Sequence, residues 1–260
     1  DYITKTITPS LVLARVNTQL EAKHARDWIK NQNTVLEAEV EKRMLENNMI
    51  QRVSIRALAH LAETRDKGTG NHILRTQAYV QRLATRLREN PRFATIFNDK
   101  YIDLLSQSAA LHDIGKVGIP DTILQKPGSL TDDEWQIMKT HAALGQEVLT
   151  AAKLKDAKHT NVLDAAIKIA GCHHECWDGS GYPKGLKGEE IPLAARLMSL
   201  ADTYDALISE RVYKKKWTHD EACAEILSLK GKRFDPLIVE AFIQEKDHFF
   251  KISKMYSDES

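Results

Sequence analysis

At 260 residues and 29.4 kDa the chain is long enough for one substantial core, alone or with an appendage. Its 37 Lys and Arg balance 36 Asp and Glu, which excludes a general nucleic-acid coat or a basic membrane-binding surface and leaves any cationic site local. Three cysteines, Cys172, Cys176 and Cys223, are too few and too odd for a disulfide framework and fit a reducing, cytoplasmic setting. No run approaches the roughly 18 apolar residues of a membrane span, and the opening DYITKTITPS lacks the basic and apolar regions of a signal peptide.

From Ser10 to about Arg65 the chain holds neither proline nor glycine and is rich in Ala, Leu, Glu, Lys, Arg and Gln, which predicts one or two long helices. On a heptad frame its core positions are Ile29, Asn33, Leu36, Val40, Arg43, Asn47, Ile50, Ser54, Ala57 and Leu61. Four of these are polar, the pattern of a weak coiled coil or of a solvated helix. RDKGTGN (65–71) breaks the helix, a second begins near His72, and Asn90-Pro91 ends it. The stretch from Tyr101 is apolar at helical spacing and is expected to close at Gly115, leaving His112 and Asp113 at a helix C-terminus. Thr131 with Glu134 is a capping box opening the helix that carries His141. NVLDAAIKIAGCHHE is another apolar helix ending in a His pair; the Gly/Pro-rich loop WDGSGYPKGLKGEEIP follows, and then a helix over LAARLMSLADTYDALISE. With no alternating strand pattern and no internal repeat, the expected class is all-α.

Five histidines fall at helix ends or inward-looking helical positions: His72, His112, His141, His173 and His174. Asp113 and Asp202 join them. Imidazole plus carboxylate is the donor set of first-row metals such as Mn, Fe, Ni, Co and Zn, whereas all-oxygen Mg or Ca sites need no histidines. Seven donors exceed the needs of one ion. A carboxylate can bridge two, and a pair of ions about 3.5–4 Å apart activates water and stabilises the leaving oxygen of a phosphoester. A single His or Asp in such a place is more often a packing or capping residue, but adjacent His-Asp and His-His pairs are harder to explain so. Tandem histidines point about 100° apart on a regular helix, so their convergence needs the distorted geometry of a terminus. Lys116 reads either as a helix C-terminal cation or as a phosphate contact. Gly181, Tyr182 and Pro183 form a tight turn that allows close backbone approach and offers a ring to a base. Asp205, one turn after Asp202, suits a hydrogen-bond partner for a ligand histidine. His24, His60, His159, His219 and His248 have no partnered pattern and read as surface or packing residues.

HDIGKVGIPDTILQKPGSLTDDEW, MKTHAALG, HHECWDGSGYPKGLKGEEIPLAAR and ADTYDALISERVYKK, in this order, closely resemble the HD-GYP family of HD-superfamily phosphodiesterases across roughly residues 50–250. The resemblance implies an HD-domain helical bundle with a long N-terminal stalk helix and a Gly/Pro-rich GYP loop. It also implies a metal centre that opens cyclic dinucleotides, chiefly cyclic di-GMP to pGpG and in some members onward to GMP. Carried over position by position, the ligands fall on His72, His112, Asp113, His141, His173, His174 and Asp202. The loop becomes substrate-facing, and Arg211 and Lys214 match positions that contact the ligand. Members with three metals usually carry a glutamate four residues before the first histidine, where this chain has Gly68, so two divalent ions are expected: Fe, Mn or Ni, with Zn or Co as alternatives. The usual Thr-Ser before the arginine and Pro after it are Ile208-Ser209 and Val212 here, with little expected consequence for metal binding. The N-terminal stretch resembles the end of a response-regulator receiver domain, with Lys5 as its phosphate-sensing lysine, Thr6 in place of the usual proline, and the phosphorylation site upstream. The expected organisation is a receiver remnant over 1–25, a stalk over 26–64 and the catalytic domain over 65–260.

The mechanism expected from these residues has Asp113 bridging two ions, with His72, His112 and Asp202 mainly on one and His141, His173 and His174 mainly on the other; Lys116 holds a phosphate oxygen. Expected partners are the cyclic dinucleotide, a second copy through the stalk and a cyclase or other signalling protein, with neither DNA nor membrane. The alternatives are a weakly catalytic cyclic-dinucleotide sensor of the same fold, or an HD phosphohydrolase for another nucleotide such as 3′,3′-cGMP-AMP.

Overall fold

The computed structural model describes residues 8–65, 71–153, 161–209 and 216–257. Arg211, Lys214, Gly68, Lys5, Thr6, His159 and Val212 lie outside them. The described residues are all-α, with a lone β-bridge between Lys230 and Phe234 and no strand. The chain divides into two compact units, Asp1–Val53 and Ser54–Ser260.

Helix α1 (Pro9–Glu63) starts on a proline, whose missing N–H costs nothing at a first helical position. In the first unit its apolar side chains stand in solvent, among them Leu13, Trp28, Val35 and Leu45. In the second unit its last turns bury Ala59 against Ile73, Ala110, Leu111, Leu149 and Ala166, with Ile55 partly covered. These turns therefore belong to the second unit's core, and Glu63 is delivered by them.

The second unit continues with α2 (His72–Leu87) and α3 (Asp99–Ala109), the latter capped by the Asn98 side chain, which accepts from the Tyr101 N–H. Helix α3 ends before the expected Gly115. Leu111 and His112 make i→i−3 bonds to Ser108 and Ala109, and Ile114–Gly118 is a 3-10 turn. The reason lies at Gly115, where a Cβ would come within 2.0 Å of the His141 carbonyl oxygen and 2.4 Å of the Gly145 nitrogen. Only a glycine lets this turn lie against the helix that carries His141 and Gly145.

A short α4 (Asp121–Leu124) leads to α5 (Asp132–Lys139), whose capping box of Thr131 and Glu134 is formed as expected, but this helix stops at Lys139 and does not carry His141, which starts the next one. Then come α6 (His141–Ala152), α7 (Asn161–Cys172) and α8 (Leu193–Ile208). Two further helices close the unit, α9 (His219–Ser228) and α10 (Pro236–Met255). Their start signals were present in the sequence: Thr218 with Glu221 forms a second capping box, and Asp235 caps α10 ahead of Pro236. The main core lies where α2, α8 and α10 meet. Tyr79 stacks on Phe249 at 4.4 Å, and Tyr204 meets the same ring edge-on at 5.2 Å. Burying each such ring stabilises the fold by about 2–3 kcal/mol, and this packing holds α2 and α8 as a rigid floor for the residues at their ends.

Candidate metal centre

Helix ends converge on one pocket. His72 opens α2, His112 and Asp113 follow α3, His141 opens α6, His173 and His174 follow α7, and Asp202 lies on α8. The structure brings all seven together in two groups of mutually close donor atoms: Asp113, His141, His173 and His174 in one, His72, His112 and Asp202 in the other. Asp113 links the groups. Its Oδ2 lies 3.3 Å from His112 Nε2, and its Oδ1 lies 3.4 Å from His141 Nε2 and 3.6 Å from His173 Nε2.

Backbone geometry sets the rings. With Nδ1–H donating, His112 bonds the Ala109 carbonyl at 3.0 Å, His141 that of Met138 at 2.7 Å and His173 that of Ile169 at 3.0 Å. His72 Nδ1 faces Asp205 Oδ2 at 2.7 Å. Each bond takes one ring nitrogen and leaves Nε2 directed inward, the arrangement that orients metal-ligating histidines. Inward nitrogens then crowd one another: His72 and His112 Nε2 are 3.4 Å apart, and His141 and His174 Nε2 are 3.1 Å apart. Lone pairs so close repel unless a proton or a cation lies between them.

Charge follows from the same contacts. Burial works to raise Asp113, but Lys116, at 2.7 Å, and its histidine neighbours outweigh it and hold the carboxyl well below the usual range. Asp202 is also pushed up by burial, yet His112 and His72 bring it below its ordinary value. His112 is pulled down by burial and raised more strongly by Asp113 and Asp202, to about 9. His141 and His174 are lowered, chiefly by burial, and stay neutral. Among the described residues, five buried side-chain polar atoms have no hydrogen-bond partner, and three belong here: Asp113 Oδ1, His173 Nε2 and Glu63 Oε2. Orphaned buried donor atoms are rare because each costs about 1–3 kcal/mol. Imidazole and carboxylate atoms left unsatisfied around one space fit divalent transition ions.

Behind His72, Arg75 grips Asp205 with Nε to Oδ1 at 2.7 Å and Nη2 to Oδ2 at 3.0 Å. Burial alone would raise Asp205, but the bonds from His72 and Arg75 keep it below its ordinary value. Over the other group lies the loop with Gly181, Tyr182 and Pro183. The Tyr182 ring stacks on His174 at 4.8 Å, its N–H reaches the His174 carbonyl at 3.2 Å, and the Tyr182–Pro183 bond is cis. A Cβ on Gly181 would come within 2.2 Å of the Cys176 nitrogen, so the loop closes tightly only there. The buried carboxylate of Glu175 ties it down, accepting from the Lys184 N–H at 2.8 Å and the Leu186 N–H at 3.0 Å. Trp135 meets Tyr182 edge-on at 6.2 Å.

Three neighbours of this pocket escaped the sequence reading. Arg75 lies one turn after His72 on the same helix, a spacing that the sequence shows, though its bond to Asp205 does not follow from it. Glu175 directly follows the His pair, but its role depends on amides in the loop beyond. Glu63 gives no local signal, because what makes it notable is its 3.9 Å approach to His72 Nε2. Burial raises its pKa against the pull of His72 and His112.

The comparisons agree with this geometry. The family signature described as HD domain matches residues 56–238. A Vibrio cholerae protein named "Probable cyclic di-GMP phosphodiesterase" is 49% identical over 259 residues, covering 100% of this chain and 59% of that one. The Xanthomonas campestris "Cyclic di-GMP phosphodiesterase response regulator RpfG" is 34% identical over 260 residues, covering 100% of this chain and 65% of its own. The chain thus spans less than two thirds of these relatives' length. Among solved structures, a cyclic GMP-AMP specific phosphodiesterase of V. cholerae (V-cGAP3) matches with a TM-score of 0.53 at 20% identity, over 79% of this chain and 52% of that one, a likeness of fold. With the signature covering most of the chain and relatives of this kind along its whole length, the chain belongs to the HD-domain family, in its HD-GYP branch.

Proposed function

We propose that this chain is a metal-dependent phosphodiesterase that opens cyclic dinucleotides, cyclic di-GMP foremost, to the linear pGpG. The observation that carries the reading is the pair of donor groups joined at Asp113 beneath the Tyr182 loop. The names of the V. cholerae and X. campestris relatives support the substrate class.

In the reaction one water adds across a P–O3′ bond: phosphorus gains the oxygen, the bond to O3′ breaks, and O3′ leaves carrying a proton. Two divalent ions, Fe, Mn or Ni with Zn or Co as alternatives, would acidify the water and neutralise charge on the phosphoryl oxygens. His72, His112 and Asp202 would hold one, and His141, His173 and His174 the other. The Asp113 carboxylate, with one oxygen toward each group, would serve both. Lys116, about one fifth exposed at 22%, stands beside Asp113, where its ammonium can donate to a phosphate oxygen. Tyr182, whose phenol burial keeps protonated, offers its ring to a base, and Gly181 and Pro183 fix that ring in place. Arg211 and Lys214 are proposed as further substrate contacts on the strength of the sequence resemblance.

We further propose a homodimer through the heptad stripe of α1, where Ile29, Leu36, Val40 and Ile50 are all more than half exposed. Light scattering that returns a single-chain mass near 29.4 kDa would count against it. Output of a two-component system is supported by the response-regulator name of the X. campestris relative; a receiver remnant over 1–25 is proposed on the sequence resemblance alone, and docking of a cyclase beside it.

The test is anaerobic incubation with Mn(II) or Fe(II) and, in parallel, cyclic di-GMP, 3′,3′-cGMP-AMP and a panel of linear nucleotides. Appearance of pGpG is the expected outcome. Tight binding of unchanged cyclic ligand would favour a sensor, and turnover confined to linear nucleotides would favour another HD phosphohydrolase.

A further inference from the structure

We infer that Glu63 is an additional ligand of the metal centre, donating a carboxylate oxygen to the ion held by His72, His112 and Asp202. The inference rests on the metal-centre reading above. It concerns a residue that lies outside the seven donors and outside position 68, where the sequence holds a glycine.

Four observations converge on it. Glu63 is the last residue of α1, and a helix C-terminus carries partial negative charge, so a carboxylate there is disfavoured unless a cation faces it. Its side chain is nevertheless mostly buried, at 12% exposure, rather than turned to solvent as a glutamate at a helix end easily is. Its Oε2 finds no hydrogen-bond partner. Its Oε1 lies 3.9 Å from His72 Nε2, too far for a hydrogen bond and suited to two donors converging on an ion between them. The same nitrogen lies 3.4 Å from His112 Nε2 and 3.7 Å from Asp202 Oδ1, so Glu63 approaches this donor group at its His72 edge. The other ring nitrogen of His72, Nδ1, is already engaged by Asp205 at 2.7 Å.

Chemistry gives the consequence. Beyond the shared Asp113, the donor set with Glu63 becomes two imidazoles and two carboxylates, harder than the three imidazoles of His141, His173 and His174. The two ion positions then differ in preference: the first leans toward Mn(II) or Fe(II), the second toward Zn(II) or Ni(II).

The test uses the whole chain and the metals alone. Wild type and the isosteric Glu63→Gln protein are stripped of metal and titrated with Mn(II), with stoichiometry read by elemental analysis and affinity by calorimetry. Circular dichroism confirms the fold, and Glu63→Ala serves as the second variant should the amide itself ligate. The expected result is that the Mn(II) bound at the His72 position weakens by more than the roughly 10-fold typical of losing a ligand's hydrogen-bond partner, while an ion at the His141 group is retained. Wild-type stoichiometry and affinity in both variants overturns the inference. The outcomes separate it from the functional proposal. Metal binding that depends on Glu63 without hydrolysis of any cyclic dinucleotide refutes the activity alone, hydrolysis with metal binding indifferent to Glu63 refutes the ligand alone, and a wild type that binds no Mn(II), Fe(II) or Zn(II) refutes both.

Discussion

Asp205 is where a single residue does most for the pocket's geometry. It accepts from His72 and is itself clamped by Arg75, with Asp205 and Arg75 only 1% and 3% exposed. Asp205→Asn should weaken metal retention by about 10- to 100-fold by releasing the His72 ring. It should also destabilise the fold by about 3–5 kcal/mol by leaving the Arg75 charge buried and uncompensated. Elemental analysis after gel filtration and urea unfolding check the two effects separately. The carboxyl's pKa is depressed in the folded protein. Its contribution to stability is therefore present above the ordinary value of about 3.9 and is lost as pH falls through the lower folded value. The metal-free variant should accordingly show a flatter acid limb than metal-free wild type. Asp205 was legible in the sequence because its relation to Asp202 is one helical turn. Arg75 meets it across 130 residues of chain, and Glu63 meets His72 across a break in the helices, so neither contact has a local signature.

Elements matter through their ends. Gly115 lets the turn after α3 lie on α6, so Gly115→Ala must push the backbone off the His141 carbonyl. We expect a loss of about 1–3 kcal/mol from overpacking, and a separation of Asp113 from His141 that lowers metal affinity as well. Calorimetric unfolding and Mn(II) titration would show both, and a variant with wild-type values in each would contradict the account. The Tyr182 loop depends on Glu175 in a similar way. Glu175→Ala strands the Lys184 and Leu186 amides, at about 1–3 kcal/mol per unsatisfied group, and should speed their hydrogen exchange while leaving amides in α10 protected. Where a local device starts an element, as at Thr131 and Glu134, the sequence announced it. The end of α3 was misplaced because the decisive contact for Gly115 is tertiary. Helices α9 and α10 were passed over although Thr218, Glu221 and Pro236 carry the same kind of signal that revealed α5.

At the scale of the molecule, ion binding and folding are coupled, because the donors come from α2, the turn after α3, α6, the end of α7 and α8. An ion that binds only this arrangement adds about 2.7 kcal/mol of stability at 100 times its Kd. Metal removal should therefore lower Tm by roughly 5–10 °C in a unit of this size, reversibly on adding back Mn(II). No helix among the described residues is long and apolar enough to cross a membrane. The all-α class and the family were readable because ordered motifs run through most of the chain, and the convergence of the seven donors follows from helix ends that those motifs mark. The central claim is that this convergence builds a hydrolytic metal centre with Asp113 at its middle. It is tested most directly by comparing wild type with Asp113→Ala for bound metal and for conversion of cyclic di-GMP, in one anaerobic preparation. The account predicts that wild type holds ions and yields pGpG while the variant loses both. A metal-replete Asp113→Ala protein that still makes pGpG would contradict it.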